Sequence, residues 1–301
     1  MTKIFICIGL PASGKSEQAK KLAVGYDAEI FSSDALRTEM FGDVNHQKDN
    51  DVLFKELHKR IRECLISGKN AILDACNISY KRRMSFLQSL NKIPCEKIAV
   101  LMATPYEVCL ERNARRERKV PESVIKRMYM NWNSPYWYEG WNDIQIVYSE
   151  GAEGSYGAAC DWVESVMNYD QHNSHHTLTL GEHCLKTFEY LDKQPVPRWE
   201  IKTAALLHDE GKTKSSTYIN SKGEITDECH YYQHQCCSSY DSLFFRDIDD
   251  HLYVAILIFW HMRPYLAWKQ SEKAMQKDRK LLRKTLFNDI CLLHEADVHA
   301  H

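Results

Sequence analysis

The sequence predicts an α/β domain, a parallel sheet with helices on both faces, followed by an all-α domain. Up to about Tyr148, short apolar runs alternate with amphipathic segments, the pattern of buried parallel strands joined by helices. Beyond Asp161 the apolar spacing is helical almost throughout, and EGAEGSYGAA, rich in glycine and small residues, lies between the two regions.

In order, KIFICIGL is the first strand and a helix follows Gly14; EIFSS is the second strand, and a long helix then runs to Ser67. NAILDAC, KIAVLMA and IQIVYS are the remaining strands, with helices between them. The glycine-rich stretch is the linker, which sets the domains at 1–150 and 160–301. In the second domain WEIKTAALLHD, HLYVAILIFWH and LFNDICLLHEADV read as helices, and only YINSKGEIT as a hairpin or loop.

The 301 residues suffice for two separate cores, and 44% hydrophobic with 27% charged residues is an ordinary globular composition. A net charge of −2 exerts no global pull on nucleic acid, so any nucleic-acid surface must be a local patch. No run approaches the roughly 18 apolar residues of a membrane span, and MTKIFICIGL lacks a basic segment ahead of a long apolar one. The chain therefore reads as cytoplasmic, with no membrane partner. Eleven cysteines is an odd count, and Cys7, Cys76, Cys109 and Cys291 stand in strand-like or helix-like runs, as buried reduced thiols do.

Gly9-Leu-Pro-Ala-Ser-Gly14-Lys15-Ser16 matches GxxxxGK[ST] and falls between a strand and a helix start, where a phosphate cradle must lie. Gly9, Ala12, Ser13 and Gly14 would turn successive backbone N–H groups toward a β-phosphate, and the helix N-terminus adds partial positive charge. Lys15 would neutralise the β/γ oxygens of ATP, and Ser16 would hold Mg²⁺.

The acceptor side follows the second strand. In SSDALR, Asp34 stands at a strand's C-terminal edge, in position to accept a hydroxyl proton, and Arg37 shares its helix face, to hold an acceptor phosphate or to orient Asp34. A bare helix cap with a solvated arginine is the competing reading. In LERNARRERKVPESV, Arg112 and Arg116 are spaced i and i+4, flanked by Arg115 and Lys119, as on a helical lid over a triphosphate. Glu111 and Glu117 also allow a salt-bridged surface helix. Asp74, ending NAILDAC, is placed to support Mg²⁺ or to fix Arg37, and Asn77 to order the next turn.

Residues 1 to about 130 thus resemble the kinase domain of phage-type polynucleotide kinases, with GLPASGKS, SSDALR, a strand ending in Asp and RNARRERKVP in that family's order. The resemblance implies Lys15 and Ser16 at the triphosphate, Asp34 as general base, Arg37 on the acceptor phosphate and Arg116 as the lid arginine. The DxDGT motif of the phage enzyme's phosphatase is absent.

The second half is rich in histidine. His208-Asp209 ends a helix-like run, with His183 before it, His234 and His261 after it, and Asp297 on the last helix. Imidazoles and carboxylates converging in a bundle core suit Mn²⁺, Fe, Ni²⁺, Zn²⁺ or Mg²⁺. GEHC, LLHDEGK, YQHQ, FWH and HEAD resemble the HD superfamily of metal-dependent phosphohydrolases over nearly all of residues 175 to 300. That resemblance implies His183, His208, Asp209 and Asp297 at a first metal, and His234 and His261 at a second. Lys212, four residues after His208, would meet a substrate phosphate. His172, His175, His176, His230, His294, His299 and His301 are left as non-ligands, with His230 the rival of His234 on a shared helix face. Cys229, Cys236 and Cys237 make a structural zinc site a minor reading.

A kinase and a phosphohydrolase on one chain suit a broken strand, whose ligation needs a 5′-phosphate and a 3′-hydroxyl. The expectation is an end-healing enzyme: an ATP-dependent 5′-kinase, and a 3′-phosphatase or 2′,3′-cyclic phosphodiesterase with one or two divalent metals. Its partners are nucleic-acid ends, RNA favoured over DNA, and ATP, with a homo-oligomer left open. The alternatives are a nucleoside or small-metabolite kinase fused to a nucleotide phosphohydrolase, and an HD half that only presents nucleic acid.

Overall fold

The computed structural model describes residues 1–174 and 177–300, which form two compact units. The first comprises Met1–Ile125 and Pro135–Glu150, the second Lys126–Ser134 and Gly151–His301. No helix among the described residues is long and apolar enough to cross a membrane.

The first unit runs β1 (Thr2–Ile8), α1 (Lys15–Tyr26), β2 (Ala28–Ser32), α2 (Ser33–Phe41), α3 (Asn50–Ile66), β3 (Asn70–Asp74), α4 (Tyr80–Ser89), β4 (Cys95–Ala103), α5 (Tyr106–Ala114), the start of α6 (Glu122–Tyr129) and β5 (Asp143–Tyr148). The five strands form one parallel sheet in the order β2-β3-β1-β4-β5. Phe5 and Cys7 of β1, Ile72 of β3, and Ile98, Val100 and Met102 of β4 pack with Ala19 and Leu22 of α1. A buried ion pair ties α4 to the loop before β5: Arg83 gives Nε to Glu139 Oε2 at 2.7 Å and Nη2 to Oε1 at 2.6 Å.

The single long helix expected up to Ser67 is two. Gly42 caps α2 at φ 69°, a left-handed conformation that glycine adopts without strain, and α3 begins at Asn50.

The second unit holds the end of α6, α7 (Ala159–Ser165), α8 (Leu180–Asp192), α9 (Trp199–Leu207), α10 (Lys212–Ser215), β6 (Ser216–Ile219), β7 (Ile225–Tyr231), α11 (His234–Asp241), α12 (His251–Trp260) and α13 (Glu272–His299). β6 and β7 are the antiparallel hairpin around YINSKGEIT, and the rest is helical. Two features of this unit depart from a plain linker reading. Trp132 is fully buried and donates Nε1 to Ser134 Oγ, which meets Ser239 Oγ at 3.1 Å, while the Tyr129 phenol bonds the Asp241 carboxylate. The glycine-rich stretch is also pinned here, Tyr156 N to Phe244 O at 3.1 Å and Arg246 N to Gly157 O at 2.8 Å.

Candidate functional sites

The loop after β1 turns sharply into α1, with Gly14 at φ 98°. A Cβ on Gly9 would stand 2.6 Å from Ser13 Oγ and 3.1 Å from Met102 Cβ, so the loop closes only around glycine. Ser13 is buried and its carbonyl accepts from Thr104 Oγ1 at 3.0 Å. Lys15 folds back into the loop, giving Nζ to the Leu10 carbonyl at 2.7 Å. Ser16 Oγ donates to Asp74 Oδ2 at 2.8 Å, which brings the end of β3 to the start of α1. A hydroxyl and a carboxylate so paired can share a hard cation such as Mg²⁺.

Asp34 and Arg37 are joined on α2, Nη1 to Oδ1 at 2.9 Å, and Arg37 Nη2 reaches Asn50 Oδ1 at 2.9 Å. Asp74 thus contacts Ser16, while Arg37 bonds to Asp34 and Asn50. Asn77 has φ 49° and gives Nδ2 to the Cys7 carbonyl at 2.8 Å, which ties the turn after β3 to β1.

The lid is not the helix that spacing suggested. α5 stops at Ala114, and Arg115 caps it, so Arg116 leaves from a loop and is not stacked one turn above Arg112. Asn113 closes that loop at its base, giving Nδ2 to Val120 O at 2.8 Å and accepting Val120 N at 2.9 Å. Spacing gave no sign of Arg118, which reaches Asp34 Oδ2 at 2.6 Å from the same loop.

In the second unit the predicted residues come together. His183 from α8, His208 at the end of α9 and Asp297 from α13 form one group, and Asp209, His234 and His261 a second, all buried. In the first, His183 Nε2 lies 3.1 Å from both His208 Nε2 and Asp297 Oδ1. In the second, His234 Nε2 lies 3.1 Å from Asp209 Oδ1 and 3.3 Å from His261 Nε2. Asp209 joins the groups, for its Oδ2 is 3.5 Å from His183 and 3.4 Å from His208. Gly211 makes this approach: a Cβ there would stand 2.4 Å from the His234 carbonyl.

The donor set fits divalent cations. His208, His234 and His261 each place Nδ1 on a backbone carbonyl, of Ala205 at 2.8 Å, Tyr231 at 2.8 Å and Ile258 at 2.6 Å, which leaves each Nε2 lone pair for the centre. Ligand bonds of about 2.0–2.2 Å imply neighbouring donors roughly 2.8–3.6 Å apart, the range of most of these separations. Burial disfavours charge on His208, but Asp209 and Asp297 outweigh it and raise the imidazole to about 9, so a cation bound there would have to displace the Nε2 proton. Burial would lift Asp209, yet Lys212, His208 and His234 hold it well below the usual carboxylate range. The cluster is therefore built around fixed anionic charge that needs cationic partners.

Lys212 Nζ sits 2.7 Å from Asp209 Oδ2 and 2.7 Å from Gln171 Oε1, at the edge of the cluster. His230 is not the rival of His234: it lies on β7, with Nε2 at Thr226 Oγ1. His294 packs edge-on against Tyr265, His299 against Tyr190, and His172 pairs with Asp170 at 3.5 Å. His175, His176 and His301 lie outside the described residues. Cys229, Cys236 and Cys237 are buried free thiols, and burial pushes Cys236 up to about 12, which disfavours the thiolate that zinc requires.

Residues 4–135 match a family model described as an AAA domain. Together with the all-parallel sheet and the loop after β1, that match settles the first unit. It has a P-loop kinase fold. L-seryl-tRNA(Sec) kinase of Methanococcus maripaludis is 23% identical over 158 residues, 49% of this chain and 60% of that enzyme. The chain thus spans less than two thirds of that relative. Among solved structures, a gluconokinase from Sinorhizobium meliloti 1021 is 18% identical over 49% of this chain and 83% of its own, with a TM-score of 0.37. A chain of the Pnkp1/Rnl/Hen1 RNA repair complex is 22% identical over 43% of each chain, also at a TM-score of 0.37.

Proposed function

We propose that the chain heals nucleic-acid ends, with an ATP-dependent polynucleotide 5′-hydroxyl kinase in residues 1–150. Residues 160–301 are then an HD-type, metal-dependent 3′-phosphatase or 2′,3′-cyclic phosphodiesterase, and the substrate is RNA. The observation that carries this reading is the pair of His/Asp groups joined through Asp209, on the same chain as a P-loop with an Asp34–Arg37 acceptor side.

In the kinase, Lys15 leaves the Leu10 carbonyl for the β/γ oxygens of ATP, and Ser16 and Asp74 hold Mg²⁺. Asp34 accepts the hydroxyl proton with Arg37 orienting it, and Arg112 from α5 and Arg116 from the loop after it meet the triphosphate. In the second unit His183, His208, Asp209 and Asp297 hold one divalent cation, and Asp209, His234 and His261 another. Bound there, such cations acidify water and offset phosphoryl charge. Lys212, turned from Asp209, holds a substrate phosphate oxygen.

The test is transfer of labelled γ-phosphate to a 5′-hydroxyl oligoribonucleotide and to the matching nucleoside, beside phosphate release from a 3′-phosphorylated oligonucleotide. Preference for the oligonucleotide with metal-dependent 3′ release supports the reading. Equal or better turnover of nucleosides and free nucleotides assigns the chain to small metabolites instead.

A further inference from the structure

Asp34 carries two guanidiniums. Arg37, on the next turn of α2, places Nη1 2.9 Å from Oδ1, and Arg118, from the loop after α5, places Nη1 2.6 Å from Oδ2. Both carboxylate oxygens accept from a guanidinium, so a hydroxyl approaching Asp34 competes with these two arginines for the carboxylate.

The two arginines are unequal. The Arg37 side chain is 6% exposed and is held a second time by Asn50. The Arg118 side chain is 39% exposed, and its further hydrogen bonds are long, 3.3 Å to the Val44 carbonyl and 3.4 Å to Asn45 Oδ1. Its loop is fixed at the base by the Asn113–Val120 exchange, so the guanidinium can swing while the loop stays anchored. Arg118 is the partner that gives way.

We propose that Arg118 is a specificity residue of the acceptor site, exchanging Asp34 for a phosphate carried by the acceptor. Exposed ion pairs are weak, whereas the planar guanidinium matches two phosphate oxygens at once, so an acceptor phosphate competes well for Arg118. The contact that binds the acceptor then also leaves the Asp34 oxygen that Arg118 held more open to the hydroxyl. The hydroxyl proton passes to Asp34, the hydroxyl oxygen bonds to the γ-phosphorus, and the bridging P–O bond breaks with its electron pair leaving on the nucleoside diphosphate. A neutral polyol offers nothing to exchange, so the site selects anionic acceptors. This inference rests on the kinase reading above.

Steady-state kinetics at saturating ATP test it, with a nucleoside 3′-monophosphate and the matching nucleoside as acceptors. The parent should favour the phosphorylated acceptor, and Arg118→Ala should lower that kcat/KM preference by about tenfold or more, through the acceptor KM. The KM for ATP should hold, and Arg118→Lys should keep part of the preference. An Arg118→Ala variant with the parent's preference, or one whose ATP KM rises in step, overturns the proposal. A parent that phosphorylates both acceptors equally overturns it while leaving the kinase standing. A parent that phosphorylates neither these nor a 5′-hydroxyl oligonucleotide removes the kinase reading and this inference with it.

Discussion

Asp209 meets His234 at 3.1 Å through one carboxylate oxygen, while its other oxygen faces His183 and His208. One residue therefore belongs to both halves of the cluster, and its loss should differ in kind from the loss of any single imidazole. Asp209→Ala should weaken Mn²⁺ binding at both positions, and His261→Ala at one. Isothermal titration with elemental analysis gives the stoichiometry. An Asp209→Ala protein that still holds one Mn²⁺ with the parent's affinity contradicts the bridging role.

The Ser16–Asp74 hydrogen bond predicts a defect in the kinase that tracks Mg²⁺. Asp74→Asn should lower kcat/KM for 5′-phosphorylation by about 10–100-fold, as loss of a metal-supporting carboxylate does, and shift half-saturation to higher Mg²⁺. The 3′ activity should stay within about twofold, since Asp74 belongs to the other unit. A Mg²⁺ titration that overlays the parent's would leave Asp74 with packing alone.

Arg83 and Glu139 are an ion pair with side-chain exposures of 1% and 0%, and the Trp141 indole also donates to Glu139. Arg83→Met should destabilise the first unit by about 3–5 kcal/mol, because it strands a buried carboxylate. Replacing both partners with apolar residues should recover much of that loss. Urea unfolding measures both, and a single variant within about 1 kcal/mol of the parent would mean that water reaches Glu139.

His58 stacks on Phe86 with ring centroids 3.9 Å apart, and burial together with Arg62 lowers it to about 4. Its folded value lies below the ordinary value near 6.5, so its contribution is complete above pH 6.5 and is lost as pH falls toward 4. Between pH 7 and pH 5 the parent should lose on the order of 1–2 kcal/mol more stability than His58→Gln. Parallel pH profiles for the two proteins would contradict it.

Most of the sheet was legible because buried parallel strands such as KIFICIGL and KIAVLMA are apolar without interruption, and periodicity reports them directly. The His/Asp groups were reached for a different reason: the order of GEHC, LLHDEGK, YQHQ, FWH and HEAD resembles the HD superfamily, and the resemblance, not the spacing, picked the residues. What spacing could not report was where helices stop. An i and i+4 pair such as Arg112 and Arg116 implies a shared face only inside one helix, and α5 ends between them. His230 failed likewise, because i and i+4 spacing from His234 crosses from a strand into a helix. Arg118 was out of reach altogether, since its partner Asp34 is distant in the sequence and no local pattern joins them.

Both activities can be read on one substrate, an oligoribonucleotide with a 5′-hydroxyl and a 3′-phosphate, incubated with ATP and a divalent cation and weighed by mass spectrometry. The product should have gained a 5′-phosphate and lost its 3′-phosphate. Lys15→Ala should stop only the first change and Asp209→Ala only the second. Full 3′-phosphate removal by parent protein in excess chelator, or no change at either end, would contradict it.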